Sequence, residues 1–134
     1  MVSLPIFQVT VITFLLIFTI NARSLPDTTV QLVLCNSQAY SRGDPFGNSL
    51  TYVISDLESK TASMKDYNYY DISPYPNAFA YGHATCNQNL TSLDCGTCLG
   101  AAKSAMLGTC QDRIGARSVL QDCSIRYEQY PFDY

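Results

Sequence analysis

Six cysteines hold the reactive chemistry available to this chain. Three of them fall within thirteen residues: Cys86, eight residues, Cys95, two residues, Cys98. Cys35, Cys110 and Cys123 stand apart from that cluster. Thiols in such a pattern pair as disulfides, ligate a metal or exchange disulfides. Cys95-Gly96-Thr97-Cys98 has the C-x-x-C form of an exchange site, but no Trp or Pro flanks it as in thioredoxin-like enzymes. His83 is the sole histidine. With no second histidine it is a poor metal ligand or acid–base group, and it reads as a half-exposed strand residue. No pair of acidic residues is placed by spacing for glycoside hydrolysis. The pattern is that of a non-enzyme without cofactor or metal, whose cysteines are structural.

The compartment supports disulfides. Val9 to Ile20 is apolar apart from threonines, and Ala22-Arg23-Ser24 follows with small residues suited to cleavage after Ala22 or Ser24. Residues 1–24 therefore read as a secretory signal peptide. Met1 to Pro5 departs from that pattern, because it carries no Lys or Arg. The competing reading of the run is a strand or a short membrane anchor. No later stretch is long and apolar enough to span a bilayer, so no stable membrane insertion is expected. Residues 25–134 then form one cysteine-rich domain, small enough to need covalent help. An exported chain with an even cysteine count carries disulfides, and six cysteines leave fifteen pairings open. Of eight basic residues cleavage removes Arg23, leaving seven against eleven acidic ones. A net charge near −4 excludes a basic nucleic-acid-binding face.

The elements that position the cysteines follow in order. Thr28 to Leu34 is β-branched and aliphatic, a strand that ends at Cys35. Asp44-Pro45 is a helix start, and Leu50, Val53, Ile54 and Leu57 make one apolar stripe of a helix over 46–62. Asp66 to Tyr75 holds Tyr67, Tyr69, Tyr70 and Tyr75 among turn formers, and Pro74 and Pro76 rule out a central strand. It reads either as an ordered loop covering the core or as an aromatic platform for a sugar or a partner. Ala78 to Cys86 reads as a strand, with Gly82 marking a bulge or a close backbone approach. Asn89-Leu90-Thr91 is a candidate N-glycosylation site. Ser92 caps a second helix that places Cys95, Cys98, Leu99, Ala102 and Met106 on one face, with Gly108 as its stop. Ile114 to Leu120 and Ser124 to Tyr130 form a hairpin turning near Asp122. Arg117 and Glu128 then share a sheet face, roughly opposite, as a cross-strand ion pair.

The cysteine order, Tyr81-Gly82-His83-Ala84-Thr85 before Cys86, Ile114-Gly115-Ala116-Arg117 and Arg126-Tyr127-Glu128-Gln129 together resemble the ginkbilobin-like antifungal proteins. These belong to the plant cysteine-rich secretory repeat domain family. The likeness runs from the strand before Cys35 to Gln129.

The resemblance implies an α+β fold of two helices packed on a five-stranded antiparallel sheet. It implies the disulfides Cys35–Cys110, Cys86–Cys95 and Cys98–Cys123. It further implies a secreted mannose-binding lectin with antifungal, defensive action, whose partner is mannose or mannan of the fungal cell wall. The sugar contacts of that family fall on Asn36, Arg117 and Glu128 here. The chemistry suits a hexose: the carboxylate accepts from vicinal hydroxyls, the guanidinium donates, and the amide does both. The bland counterpart is a surface ion pair worth ~0–1 kcal/mol beside a turn asparagine. The tyrosine-rich 66–77 segment departs from the glycine-rich stretch of the family. Relatives carry the domain in pairs on receptor-like kinases, where sugar binding is doubtful, and this chain has one copy. The alternative is therefore an extracellular protein-interaction module of the same fold that uses the tyrosine-rich loop.

Overall fold

The computed structural model describes residues 25–133. The expected signal peptide, residues 1–24, lies outside them. Strand β1 (Val30–Cys35) comes first, then helix α1 (Phe46–Lys60) and two short 3-10 turns. Next come β2 (Asn68–Ile72), β3 (Tyr81–Cys86), helix α2 (Ser92–Thr109), β4 (Gly115–Leu120) and β5 (Cys123–Glu128). The strands form one sheet in the order β1-β4-β5-β3-β2. Every neighbouring pair is antiparallel. This is the expected pair of helices on a five-stranded sheet.

Helix α1 starts where Asp44 accepts a hydrogen bond from the Phe46 amide at 2.9 Å, filling one of the unpaired donors of the first turn. Its stripe of Phe46, Leu50, Val53, Ile54 and Leu57 is buried against the sheet. The helix ends at Lys60, two residues early, where Thr61–Ser63 tightens into a 3-10 turn. Helix α2 is capped by Thr91 rather than Ser92: the Thr91 hydroxyl accepts from the Asp94 amide at 3.1 Å. Thr91 has the extended backbone a cap needs, and Ser92 is already helical. Gly108 is not the stop, because the helix runs on to Thr109 and the positive-φ glycine of the described residues is Gly43. Cys95, Cys98, Leu99, Ala102 and Met106 are all buried, as the spacing predicts.

The three disulfides are Cys35–Cys110, Cys86–Cys95 and Cys98–Cys123, closing sequence separations of 75, 9 and 25. Loop-closure entropy alone assigns them about 4.5, 2.7 and 3.5 kcal/mol as upper bounds.

Strand β2 is where the local reading fell short. Residues 68–72 pair with β3 as an edge strand. Asp66 and Tyr67 turn the chain into it with φ of 58° and 49°. Pro74 and Pro76 lie just beyond its end, which agrees with the exclusion of a central strand. His83 is also corrected: it is 2% exposed rather than half-exposed. The Tyr70 ring stacks on it at 4.0 Å from the neighbouring strand, and the Asn68 side chain binds its Nε2.

Gly82 is the predicted close approach. A Cβ there would overlap Val53 Cγ1 and meet Leu57 Cδ1 at 2.8 Å, so α1 rests directly on the β3 backbone. Gly82→Ala should lower stability by ~1–3 kcal/mol, read as a lower urea midpoint at unchanged slope. Burial, aided by the Arg126 charge, pushes the His83 pKa from 6.5 down to about 4. The unfolded chain thus binds more protons at this residue between those values, and His83 lowers stability as pH falls from 6.5 toward 4. Denaturation of wild type and His83→Gln across that range should show the wild type losing ground on acidification.

Candidate functional site

Both helices pack on one face of the sheet, leaving the other without a helical layer. Residues directly opposite in an antiparallel pair point to the same face, so the register maps the open face. One row runs across the whole sheet: Leu34, Arg117, Arg126, His83, Tyr70. The adjacent row of the same face holds Gly115, Glu128, Tyr81 and Ile72. Asn36 continues β1 beside that second row, donating its backbone N–H to the Gly115 carbonyl at 2.9 Å. Asn36 and Glu128 thus flank Gly115, two strand spacings or about 10 Å apart along the backbone. Arg117 stands one row away.

These side chains line one shallow depression of about 290 Å³, together with Leu34, Arg126 and Tyr130. The structure therefore gathers Asn36, Arg117 and Glu128, which lie far apart in sequence. The register alters one detail. Gly115, not Arg117, lies opposite Glu128, and Arg117 faces Arg126. The ion-pair partner of Glu128 is accordingly Arg126, two residues back on the same strand, with Nε–Oε1 at 3.2 Å. Phe132 lies over the Arg126 guanidinium at 4.1 Å, so the segment after β5 runs along the rim.

Glu128 is 7% exposed. Burial raises its pKa, opposed by the hydrogen bond and charge of Arg126 and by the Tyr130 hydroxyl. Its Oε2 is buried above Gly115 and has no hydrogen-bond partner among the described residues. Asn36 does the work of a turn residue as well: its Oδ1 accepts from the Gln38 amide at 2.9 Å. Its carbonyl accepts from Arg113 Nη1 at 2.7 Å, leaving the amide nitrogen to donate outward. The arrangement offers an acceptor carboxylate, two guanidiniums and an amide donor around a floor without a side chain.

Sequence reasoning missed Gly115 and Arg126. Both were legible once the hairpin register was known, because a turn at Gln121–Asp122 pairs Gly115 with Glu128. The four tyrosines of 66–75 do not make one platform. Tyr67 donates to the Leu90 carbonyl and Tyr69 to Asp56, both at 2.9 Å, while Tyr70 covers His83 and Tyr75 packs on Tyr52. Asn89 is exposed in the turn before α2. No group of three or more metal-ligating side chains occurs among the described residues.

The fold and its crosslinks define a disulfide-stapled α+β domain with a polar cluster at one end of its open sheet face. Residues 34–130 match the salt stress response/antifungal family, and the chain belongs to that family. It is 37% identical over 111 residues to antifungal protein ginkbilobin-like protein 1 of Picea sitchensis, covering 82% of this chain and 84% of that protein. It is 38% identical over 99 residues to antifungal protein ginkbilobin-2 of Ginkgo biloba, covering 73% and 74% of the two chains. Its fold is similar to the tandem DUF26 ectodomain of the Arabidopsis thaliana cysteine-rich receptor-like protein PDLP5, with a TM-score of 0.70 at 20% identity. That match covers 78% of this chain and 51% of the ectodomain, so this chain spans about half of the tandem structure.

A Cβ at residue 115 would lie 2.6 Å from the Glu128 carboxylate carbon and overlap Oε2. Gly115→Ala should therefore expel the carboxylate from its seat while leaving the helices and disulfides in place. NMR titration of Glu128 checks this: in the variant its pKa falls back toward 4.5, the ordinary glutamate value.

Proposed function

We propose that this protein is a secreted antifungal lectin that grips a mannose unit of fungal cell-wall mannan at Asn36, Arg117 and Glu128. The supporting observation is that these three side chains, distant in sequence, line a single depression beside Gly115. The antifungal class is carried by the named relatives, and export by the apolar leader and the three disulfides.

In this reading a hexose lies over the cluster between Asn36 and Arg117. Glu128 accepts from a sugar hydroxyl through Oε1, the oxygen Arg126 orients, while Oε2 stays seated above Gly115. Arg117 donates its planar fork to ring or hydroxyl oxygens, and the Asn36 amide donates from the other side. Axial and equatorial hydroxyls cannot both meet the fixed Glu128 acceptor and the Arg117 donors, which supplies selectivity among hexoses. A site this shallow binds one sugar weakly, and retention on a wall relies on many copies meeting many sugars.

Glu128→Gln preserves volume and removes the charged acceptor. Retention on mannan-coated beads should fall at least tenfold, since hydrogen bonds to charged groups contribute about 1.5–3 kcal/mol. Undiminished retention sinks the assigned site. The acceptor must be ionised, and its pKa is raised by burial. Wild-type retention should therefore decline on acidification at a higher pH than an ordinary glutamate would impose. The Gln variant should show no such step.

A further inference from the structure

A second, roomier depression lies away from that polar cluster. It is a groove of about 640 Å³ along the solvent face of α1, lined by Pro45, Asn48, Tyr52, Asp56, Tyr75 and Asn77, with Thr51 and Ser55 between them. One wall is a stripe of α1 residues spaced by three and four. It runs from residue 48 to residue 56, about 12 Å at the helical rise, with Pro45 just before the helix. The other wall is the loop between β2 and β3. That loop is pinned: Ala80 donates its N–H to Ser73 Oγ at 2.9 Å, Ser73 donates its own to the Ala80 carbonyl at 3.0 Å, and Ser49 Oγ donates to the Ala78 carbonyl. The groove is thus preformed.

Its chemistry is selective. Tyr52 and Tyr75 are exposed and stand edge to face at 6.0 Å, giving a ring surface on which a pyranose can stack. Asn48, Asn77 and Ser55 each both donate and accept, and Thr51, whose hydroxyl donates to the Gly47 carbonyl at 3.0 Å, accepts, as vicinal hydroxyls require. Asp56 sits at one end as a fixed acceptor, held by the Tyr69 hydroxyl at 2.9 Å and by Lys60 at 2.8 Å. No cation lines the groove, and Lys60 at its end is already paired with Asp56, whose carboxylate repels phosphates and other anions. An apolar ligand would strand the amides and hydroxyls.

We infer that this groove is a second carbohydrate site, which takes a short neutral oligosaccharide by stacking on Tyr52 and Tyr75 and hydrogen bonding to Asn48, Asn77 and Asp56. It lies on the helix layer, whereas the polar cluster lies on the open face of the sheet. Two sites facing apart let one domain bridge two glycan chains. The inference does not depend on the mannose site.

The test titrates the isotope-labelled protein with mannotriose, laminaritriose and chitotriose in turn, following the side-chain amides of Asn48 and Asn77 by NMR. At least one probe should shift both amides in wild type and equally in Glu128→Gln. Tyr75→Ala should weaken that binding roughly tenfold, with Tyr75→Phe keeping most of it because the ring remains. Circular dichroism confirms that each variant is folded, and Asn77→Ala at the exposed loop serves if Tyr75→Ala is not. Three probes that leave both amides unmoved overturn the site. So do shifts that vanish in Glu128→Gln, because they then belong to the first site.

Discussion

Helix α2 is bonded covalently to three strands, and everything else is arranged around that clamp. Cys95 joins it to β3, Cys98 joins it to β5, and Cys110, one residue past its end, joins it to β1. The strands so tied lie at positions one, three and four of the sheet. The β4 strand is held between them by hydrogen bonds on both sides. The crosslinks also restrict the unfolded chain, which matters for a domain with a core this small. Strand β2 has no crosslink of its own and is held by β3, by α1 and by the inward hydroxyls of Tyr67 and Tyr69.

A sheet clamped on one face presents the other to solvent. That face carries exposed Leu32, Leu34, Tyr70 and Ile72, but at one end it turns polar. The turn rests on a missing side chain. Gly115 sits between Asn36 and Glu128, and its open floor receives the Glu128 carboxylate, whose charge burial disfavours and Arg126 favours. A carboxylate held this way is fixed in orientation, which in the proposed sugar site would reduce the ordering cost of binding. The groove on α1 reaches the same end by another route. There a loop tied to the helix sets two aromatic rings at a fixed angle, and neutral polar groups fill the spaces between them.

The two helices were legible because their apolar residues recur at helical spacing, and each buried position of α1 expected from that spacing is buried. The β4–β5 hairpin was legible from its two alternating runs. Strand β2 was not, because Asn68-Tyr69-Tyr70-Asp71-Ile72 mixes polar and aromatic residues and sits at a sheet edge. Pairing with β3, not local preference, makes it a strand. His83 misled for a related reason: its cover is Tyr70, which belongs to that unrecognised strand. The start of α2 slipped by a residue because neighbouring Thr91 and Ser92 are both competent caps, and backbone geometry chose between them.

The sequence by itself determined the number and spacing of the cysteines, the family and the helix stripes. Those properties live in residue type and spacing along one chain. Only the tertiary structure decided that Glu128 ion pairs with Arg126, that Gly115 makes room for its carboxylate, and that Tyr75 meets Tyr52 across a groove. Each of these depends on strand register or on a loop docking against a helix. A one-residue slip in register would send the same side chains to the opposite face.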